Sequence, residues 1–148
     1  MTAKILVLNG PNLNLLGQRE PHIYGAQTLD GLEKRVTAKA KALGITADFR
    51  QTNREGDLVD WLQQARTGAD GVILNAAGYT HTSVAIRDAV LACDTPVIEV
   101  HLSNPFARED FRRHSFIADV ARGVICGFGP LGYDLALDAL ADICGTTP

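Results

Sequence analysis

Apolar residues along the chain form short continuous runs, separated by longer segments in which they recur with helical spacing. The continuous runs are KILVL (4–8), GVILN (71–75), PVIEVH (96–101) and GVICGF (123–128), and a more polar run, ITADFRQ, begins at Ile45. Unbroken apolar runs of this length are typical of strands buried on both faces of a parallel sheet. The pattern therefore predicts five strands, with the polar second strand at an edge.

The segments between these runs predict helices that cover the sheet. Apolar residues at i, i+3, i+4 and i+7 lie on one face of a helix. The predicted helical stripes are Leu29, Leu32, Val36, Ala40 and Leu43, ending at Gly44; Leu58, Trp61, Leu62 and Ala65; the segment 82–93; and Ala136, Ala139, Leu140 and Ile143. Such alternation in 148 residues predicts one domain, residues 1–148, with an α/β flavodoxin-like three-layer sandwich and strand order 2-1-3-4-5.

Composition narrows the expected partner to a small molecule. A net charge of -3 argues against a protein that binds nucleic acid by neutralising phosphates. No apolar run approaches the ~20 residues of a membrane span, and the N-terminal run is too short for a signal peptide. Cys93, Cys126 and Cys144 are odd in number and far apart, which favours a reducing, cytoplasmic location.

Polar side chains collect after strands one, three and four of the predicted sheet. Open parallel sheets bind ligands beyond the carboxyl ends of their strands, near the point where strand order reverses. These three strands would be neighbours, so their loops are expected to converge. The polar residues of these loops are Asn9, Asn12, Asn14, Arg19 and Tyr24; Asn75, Tyr79, His81 and Ser83; and Glu99, His101, Ser103, Asn104, Arg108 and Arg112.

Each of these loops also has a purely structural explanation. The Asn9–Asn12 segment is compatible with an ordinary turn, and His81 with part of a helix cap. His101 is compatible with a satisfied buried histidine, and Arg108 and Arg112 with a solvated face. Their coincidence on adjacent strand ends favours a functional site.

The sequence carries no motif that indicates a cofactor or a metal. GFGPLG (127–132) matches G-x-G-x-x-G, but it follows the last strand and too little chain remains for another βαβ unit. A phosphate-binding G-x-x-x-x-G-K, a nucleophile elbow and metal-ligand spacing among the histidines and cysteines are all absent from the sequence. We therefore expect chemistry without a cofactor.

The segment GQREPHIYG (17–25) predicts a lid over the site. Pro21 interrupts it, so we expect no helix there, and Gly17 and Gly25 can act as hinges. A segment of this kind can close on a small substrate and expel water.

Proton transfer is the natural chemistry for histidine, tyrosine and hydrogen-bond donors. A phenol has a pKa of about 10, so a tyrosine base near neutral pH needs its anion stabilised by about 4 kcal/mol. Arginines in a water-poor pocket can supply this stabilisation. Arg19 lies on the same loop as Tyr24, and Arg108 is expected from the facing loop.

The chain carries three long motifs in order: NGPNLNLLGQREPHIYG (9–25), NAAGYTHTSVAIRDA (75–89) and EVHLSNPFAREDFRRHS (99–115). Together with GFGPLGYDLAL (127–137), they resemble the type II 3-dehydroquinate dehydratases of the shikimate pathway, across essentially the whole chain. In that family pattern glycine is usual at position 77, where this chain has Ala77.

The resemblance implies a cofactor-free anti elimination of water from 3-dehydroquinate, through an enolate, to give 3-dehydroshikimate. It assigns the role of base to Tyr24, with Arg19 and Arg108 stabilising its charge. His101, oriented by Glu99, would protonate the departing hydroxyl.

The remaining roles implied by the resemblance concern binding and assembly. Asn12, with a bound water, would stabilise the enolate oxygen, and Asp88 would reach the site of a neighbouring subunit in a dodecamer of trimers. The residues expected to hold the carboxylate and hydroxyls are Asn75, His81, Arg112 and the backbone amides of Leu102 and Ser103. A flavodoxin-like flavin-binding module remains the alternative function.

Overall fold

Five parallel strands form one sheet in the computed structural model, which describes residues 2–18, 20–24 and 27–146 and only the backbone of Pro21 and Tyr24. The order of the strands is β2-β1-β3-β4-β5, as predicted. Their bounds are β1 Ala3–Asn9, β2 Ile45–Gln51, β3 Gly71–Asn75, β4 Val97–His101 and β5 Gly123–Cys126.

Helices cover both faces of the sheet and make the predicted three-layer sandwich. Helices α2 and α5 pack on one face, whereas α3 and α4 pack on the other. Their bounds, with the short first helix, are α1 Pro21–Tyr24, α2 Leu29–Ala42, α3 Glu55–Gly68, α4 Val84–Cys93 and α5 Leu131–Ile143. Among the described residues, none of the helices is both long and apolar enough to cross a membrane.

The continuous apolar runs are explained by the two cores of the sandwich. In β1, Ile5 and Val7 enter the core beneath α2 and α5, and Leu6 and Leu8 enter the core beneath α3 and α4. Side chains alternate between the two faces of a strand, so a strand covered on both faces needs apolar residues at every position. The edge strand β2 is fully buried only at Ile45, which explains its polar character.

The predicted stripe on α5 is partly wrong. Ile143 is 38% exposed, whereas Leu137 and Ala141 are buried beside Ala136 and Leu140. Helix α5 contacts β3, β4 and β5, so its buried face is broader than a single stripe. Periodicity alone underestimated that width.

The expectation that Pro21 excludes a helix is also wrong. Residues Pro21–Tyr24 form the short helix α1. Proline is tolerated in the first helical turn because its missing N–H needs no partner there. The Ile23 N–H donates to the Glu20 carbonyl at 2.9 Å, which closes this turn. Arg19 and Gly25 lie outside the described residues, so the lid stays a prediction.

Ala77 begins a 3₁₀ turn after β3, Ala77–His81, with a backbone φ of +52°. This is the left-handed region, which costs a residue with a Cβ about 1–2 kcal/mol and which glycine adopts freely. The position at which the sequence departs from the family pattern therefore has a backbone conformation that favours the family's glycine.

We predict that Ala77→Gly raises the free energy of unfolding by about 0.5–1 kcal/mol, because relief of the left-handed strain exceeds the extra entropy of glycine in the unfolded chain. Urea denaturation measures the change. Ala76, with φ −75° and a fully buried side chain, is the matched control, and Ala76→Gly should lower stability. A loss of stability in both variants would refute the assignment of strain to position 77.

Candidate active site

A cleft of about 130 Å³ opens at the carboxyl ends of β1, β3 and β4. A single buried water needs roughly 10–15 Å³ by the same measure, so the cleft accommodates a small organic molecule. The predicted site residues that line it are Asn12, Asn75, His81, His101, Leu102, Ser103, Arg108 and Arg112. The convergence of the three loops expected from the strand order is therefore present.

The other predicted site residues lie elsewhere or cannot be placed. Glu99 is buried beside His101, within β4. Asp88 is exposed on α4 and is not among the residues that line this cleft. Arg19 and the side chain of Tyr24 lie outside the described part of the chain.

Close contact between the first two loops fixes the floor of the cleft. The Gly10 N–H donates to the Asn75 carbonyl at 2.8 Å. A Cβ at Gly10 would lie 2.6 Å from the Ala76 carbonyl oxygen, so only glycine permits this approach. Asn12 follows with φ +69°, a conformation that asparagine tolerates, and its N–H donates to Asn53 Oδ1 at 3.0 Å. Asn12 thus both shapes the turn and lines the cleft.

A buried chain of hydrogen bonds ends at His101. His101 Nε2 lies 2.5 Å from Glu99 Oε2, and the two residues are 7% and 2% exposed. The Ser115 hydroxyl oxygen accepts the N–H groups of Ile117 and Ala118 at 3.1 and 3.0 Å. Its single O–H therefore donates to Glu99, whose oxygens lie 3.0 and 3.1 Å away. The chain presents donors to the Glu99 carboxylate from two sides and orients it toward His101.

Sequence reasoning assigned no role to Ser115, although the residue closes the third long motif. Its only local signal is a serine placed to accept backbone N–H groups two and three residues later, a common turn arrangement. The contact with Glu99 spans 16 residues, and the fold was needed to reveal it.

His81 has a defined protonation state in this cleft. Its Nδ1 lies 2.8 Å from the His114 carbonyl oxygen, which can only accept, so Nδ1 carries the proton. Burial has the largest effect on the pKa of His81 and lowers it. The hydrogen bond to the His114 carbonyl and the charge of Glu99 raise this pKa, whereas His101 and Arg112 lower it further. At neutral pH the ring is therefore uncharged, and Nε2 is a hydrogen-bond acceptor. The rings of His81 and His101 are nearly parallel, with centroids 6.5 Å apart.

Two arginines line the cleft. Arg112 Nε donates to Glu109 Oε2 at 2.5 Å. The pKa of the Glu109 carboxyl is lowered chiefly by a backbone hydrogen bond of Glu109 itself and next by this contact with Arg112. Arg108 is 14% exposed, and its Nη2 lies 3.9 Å from Glu20 Oε2. Glu20 belongs to the segment predicted as a lid, and this pair places Glu20 beside Arg108 at the cleft. Guanidinium groups of this kind suit an anionic substrate.

Comparison with known proteins gives a consistent result. The family model described as Dehydroquinase class II matches residues 3–141. The chain is 57% identical over 142 residues to the 3-dehydroquinate dehydratase 2 of Pseudomonas aeruginosa, covering 96% of each sequence, and 60% identical over 141 residues to the 3-dehydroquinate dehydratase of Azorhizobium caulinodans, covering 95% of each. The crystal structure of the type II dehydroquinase from Propionibacterium acnes superposes with a TM-score of 0.93 at 45% identity, covering 96% of this chain and 98% of that one. The chain belongs to the class II dehydroquinase family.

Proposed function

We propose that this protein is a type II 3-dehydroquinate dehydratase, a hydro-lyase of the shikimate pathway that converts 3-dehydroquinate into 3-dehydroshikimate. Family membership and the relatives' names support the activity. The structural observation that carries the proposal is the buried Glu99–His101 pair at a cleft that also presents arginines and asparagines. The family and the relatives are named for dehydroquinase activity, which gives a flavin-binding module no support, and we propose no second function.

Tyr24 is the proposed base, and the surroundings of the other two tyrosines support this choice. The Tyr79 hydroxyl donates to the Asn53 carbonyl at 3.0 Å, and the Tyr133 hydroxyl is fully buried and donates to Asn9. Neither residue lines the cleft, so neither hydroxyl is placed to take a proton from a substrate there. In this proposal the phenolate of Tyr24 removes a proton next to the ketone, and Arg19 and Arg108 stabilise its charge.

The rest of the elimination uses groups that line the cleft or support it. Removal of the proton leaves an enolate, whose oxygen is stabilised by Asn12 and a bound water in our proposal. The carbon–oxygen bond then breaks as His101 donates a proton to the departing hydroxyl, so water and a conjugated enone are formed. The negative charge of Glu99, 2.5 Å from the ring, stabilises the protonated form of His101 that this step requires.

Substrate binding is proposed for the remaining polar groups of the cleft. Arg112 and the backbone amides of Leu102 and Ser103 suit a carboxylate. His81, uncharged with its proton on Nδ1, suits a hydroxyl group that donates to Nε2. Asn75 lines the same cavity and completes the set.

Two further proposals concern the assembly and the location of the protein. The family resemblance suggests a homododecamer built from trimers, and the exposed position of Asp88 on α4 is compatible with contact to a neighbouring subunit. Cys93, Cys126 and Cys144 are all free thiols, which is compatible with the cytoplasm. Light scattering of the purified protein distinguishes a dodecamer from a trimer or a monomer.

The activity is tested by mixing the protein with 3-dehydroquinate and following the ultraviolet absorption of the enone product. We expect absorbance to rise in proportion to the enzyme concentration, without an added cofactor. A folded sample that produces no enone would disprove the proposed function.

We predict that Ser115→Ala lowers kcat about tenfold, because the Glu99 carboxylate loses a donor that holds it in its orientation toward His101. The enone assay measures the change. Thr95→Val is the matched control, because it deletes a hydroxyl whose single O–H lies between the carbonyls of Ala65 and Cys93 before the start of β4, away from the cleft. The control should keep its kcat even if its stability falls. Equal kcat values for Ser115→Ala and the unmodified protein would refute the role given to Ser115.

A further inference from the structure

Tyr133 on α5 connects two strands of the sheet through its hydroxyl group. The side chain is fully buried. Its O–H donates to Asn9 Oδ1, at the end of β1, over 2.6 Å, and its oxygen accepts Asn75 Nδ2–H, at the end of β3, over 2.9 Å. Asn9 and Asn75 are themselves 0% and 3% exposed. Three polar side chains are therefore buried together directly beneath the cleft, and only Asn75 lines it.

Two backbone groups fix the direction of every hydrogen bond in this chain. Asn9 Nδ2 is 2.9 Å from the Arg50 carbonyl oxygen, which can only accept, so Asn9 Oδ1 must face Tyr133. The Ala77 N–H, which can only donate, is 3.2 Å from Asn75 Oδ1, so Asn75 Nδ2 must face Tyr133. The hydroxyl of Tyr133 is consequently a donor to Asn9 and an acceptor from Asn75. Turning over the side-chain amide of Asn9 or of Asn75 would place two donors or two acceptors against each other.

This polarity determines what Asn75 can offer to the cleft. One hydrogen of Nδ2 is used by Tyr133, and Oδ1 accepts from Ala77. The second Nδ2 hydrogen has no partner among the described residues, and Asn75 lines the cavity. A hydrogen-bond donor held in this way matches an oxygen acceptor of the substrate.

We propose that Tyr133 is a positioning residue for substrate binding, which holds the side-chain amide of Asn75 so that its N–H is presented to a substrate oxygen. The inference rests on the proposed function, because the oxygen concerned belongs to a polyhydroxy acid such as 3-dehydroquinate. Asn9 does not line the cleft but acts through Tyr133. By accepting the Tyr133 O–H, it keeps that hydrogen directed away from Asn75.

The protonation state of Tyr133 agrees with this role. Burial raises the pKa of its phenol, and the hydrogen bond from Asn75 offsets this only in part. The hydroxyl therefore stays protonated and remains a donor to Asn9 throughout the neutral range. In this chain each donor faces an acceptor, and such a buried chain holds its members in one arrangement, which an apolar contact between α5 and the sheet would not do.

The test compares kcat and KM of Tyr133→Phe with those of the unmodified protein, with 3-dehydroquinate as substrate. We expect KM to rise about tenfold and kcat to change less than about threefold, because a binding contact is lost equally from the ground state and the transition state. Asn9→Ala should raise KM similarly, since the Tyr133 hydroxyl is then free to turn toward Asn75. The KM of the double variant should be about the same as that of either single variant, because both changes break the same hydrogen-bond chain.

Leu137→Ala is the matched control for damage to α5. Leu137 is fully buried on the same helix and faces the same core, so its truncation destabilises the fold without touching the hydrogen-bond chain. Its KM should equal that of the unmodified protein. An unchanged KM in Tyr133→Phe and Asn9→Ala, or an equal rise in Leu137→Ala, would overturn the inference while leaving the dehydratase activity intact. An unmodified protein without turnover would instead reject the proposed function itself.

Discussion

Tyr24→Phe should abolish turnover of 3-dehydroquinate, with kcat reduced by about 10³-fold or more, while the substrate still binds. The substitution keeps the aromatic ring and removes only the oxygen that accepts the proton in the proposed mechanism. Enone formation measures the rate, and calorimetric titration of the inactive variant with 3-dehydroquinate measures binding.

Tyr79→Phe provides the matched control for loss of a tyrosine hydroxyl. That hydroxyl donates to the Asn53 carbonyl at 3.0 Å, so its removal should affect stability slightly and leave kcat within about twofold of the unmodified protein. Turnover by Tyr24→Phe at the unmodified rate would eliminate Tyr24 as the base. Equal losses in the two variants would indicate general damage to the loops and not loss of a base.

Glu99→Gln should lower kcat by about 10²-fold or more with a much smaller change in KM. Glutamine fills the same volume and can still accept from Ser115, but it carries no charge to stabilise a protonated His101. The departing hydroxyl then leaves without an effective proton donor. Steady-state kinetics in the enone assay separate the two constants.

The control for this variant is Asp138→Asn, which neutralises a carboxylate paired with Lys39 at 3.0 Å on the surface between α2 and α5. Its kcat should be unchanged, because neither residue lines the cleft and a surface ion pair contributes little even to stability. A Glu99→Gln variant with full kcat would show that His101 does not depend on the Glu99 charge, and the proposed acid would then need reassignment.

The fold was largely predictable because its three central strands, β1, β3 and β4, are short, apolar and buried on both faces. Residues 71–75, predicted as a strand from the sequence GVILN alone, are the observed β3. The errors have separate causes, one tertiary and one local. Ile143 lies on the predicted stripe of α5 but is 38% exposed, because the helix presents a broader face to three strands. Pro21 was expected to exclude a helix, yet it begins one.

The candidate site was predictable only as far as its residues stand at strand ends. His101 and Asn75 were expected at the rim from strand order, and both line the cleft. Ser115 and Tyr133 were not expected to matter, because their partners lie 16 and 124 residues away along the chain. Sequence pattern gives the edge of the sheet at which polar groups meet, whereas the contacts that orient those groups depend on packing between distant elements.

In the proposed mechanism a tyrosinate at position 24 removes the substrate proton. Incorporation of a fluorinated tyrosine at position 24 tests it most directly, because fluorine lowers the pKa of a phenol without altering its shape greatly. We expect the acidic limb of the kcat/KM profile to move to lower pH with increasing fluorination, because that limb reflects the pKa of the base in the free enzyme. An acidic limb that stays in place across the fluorinated series would contradict it.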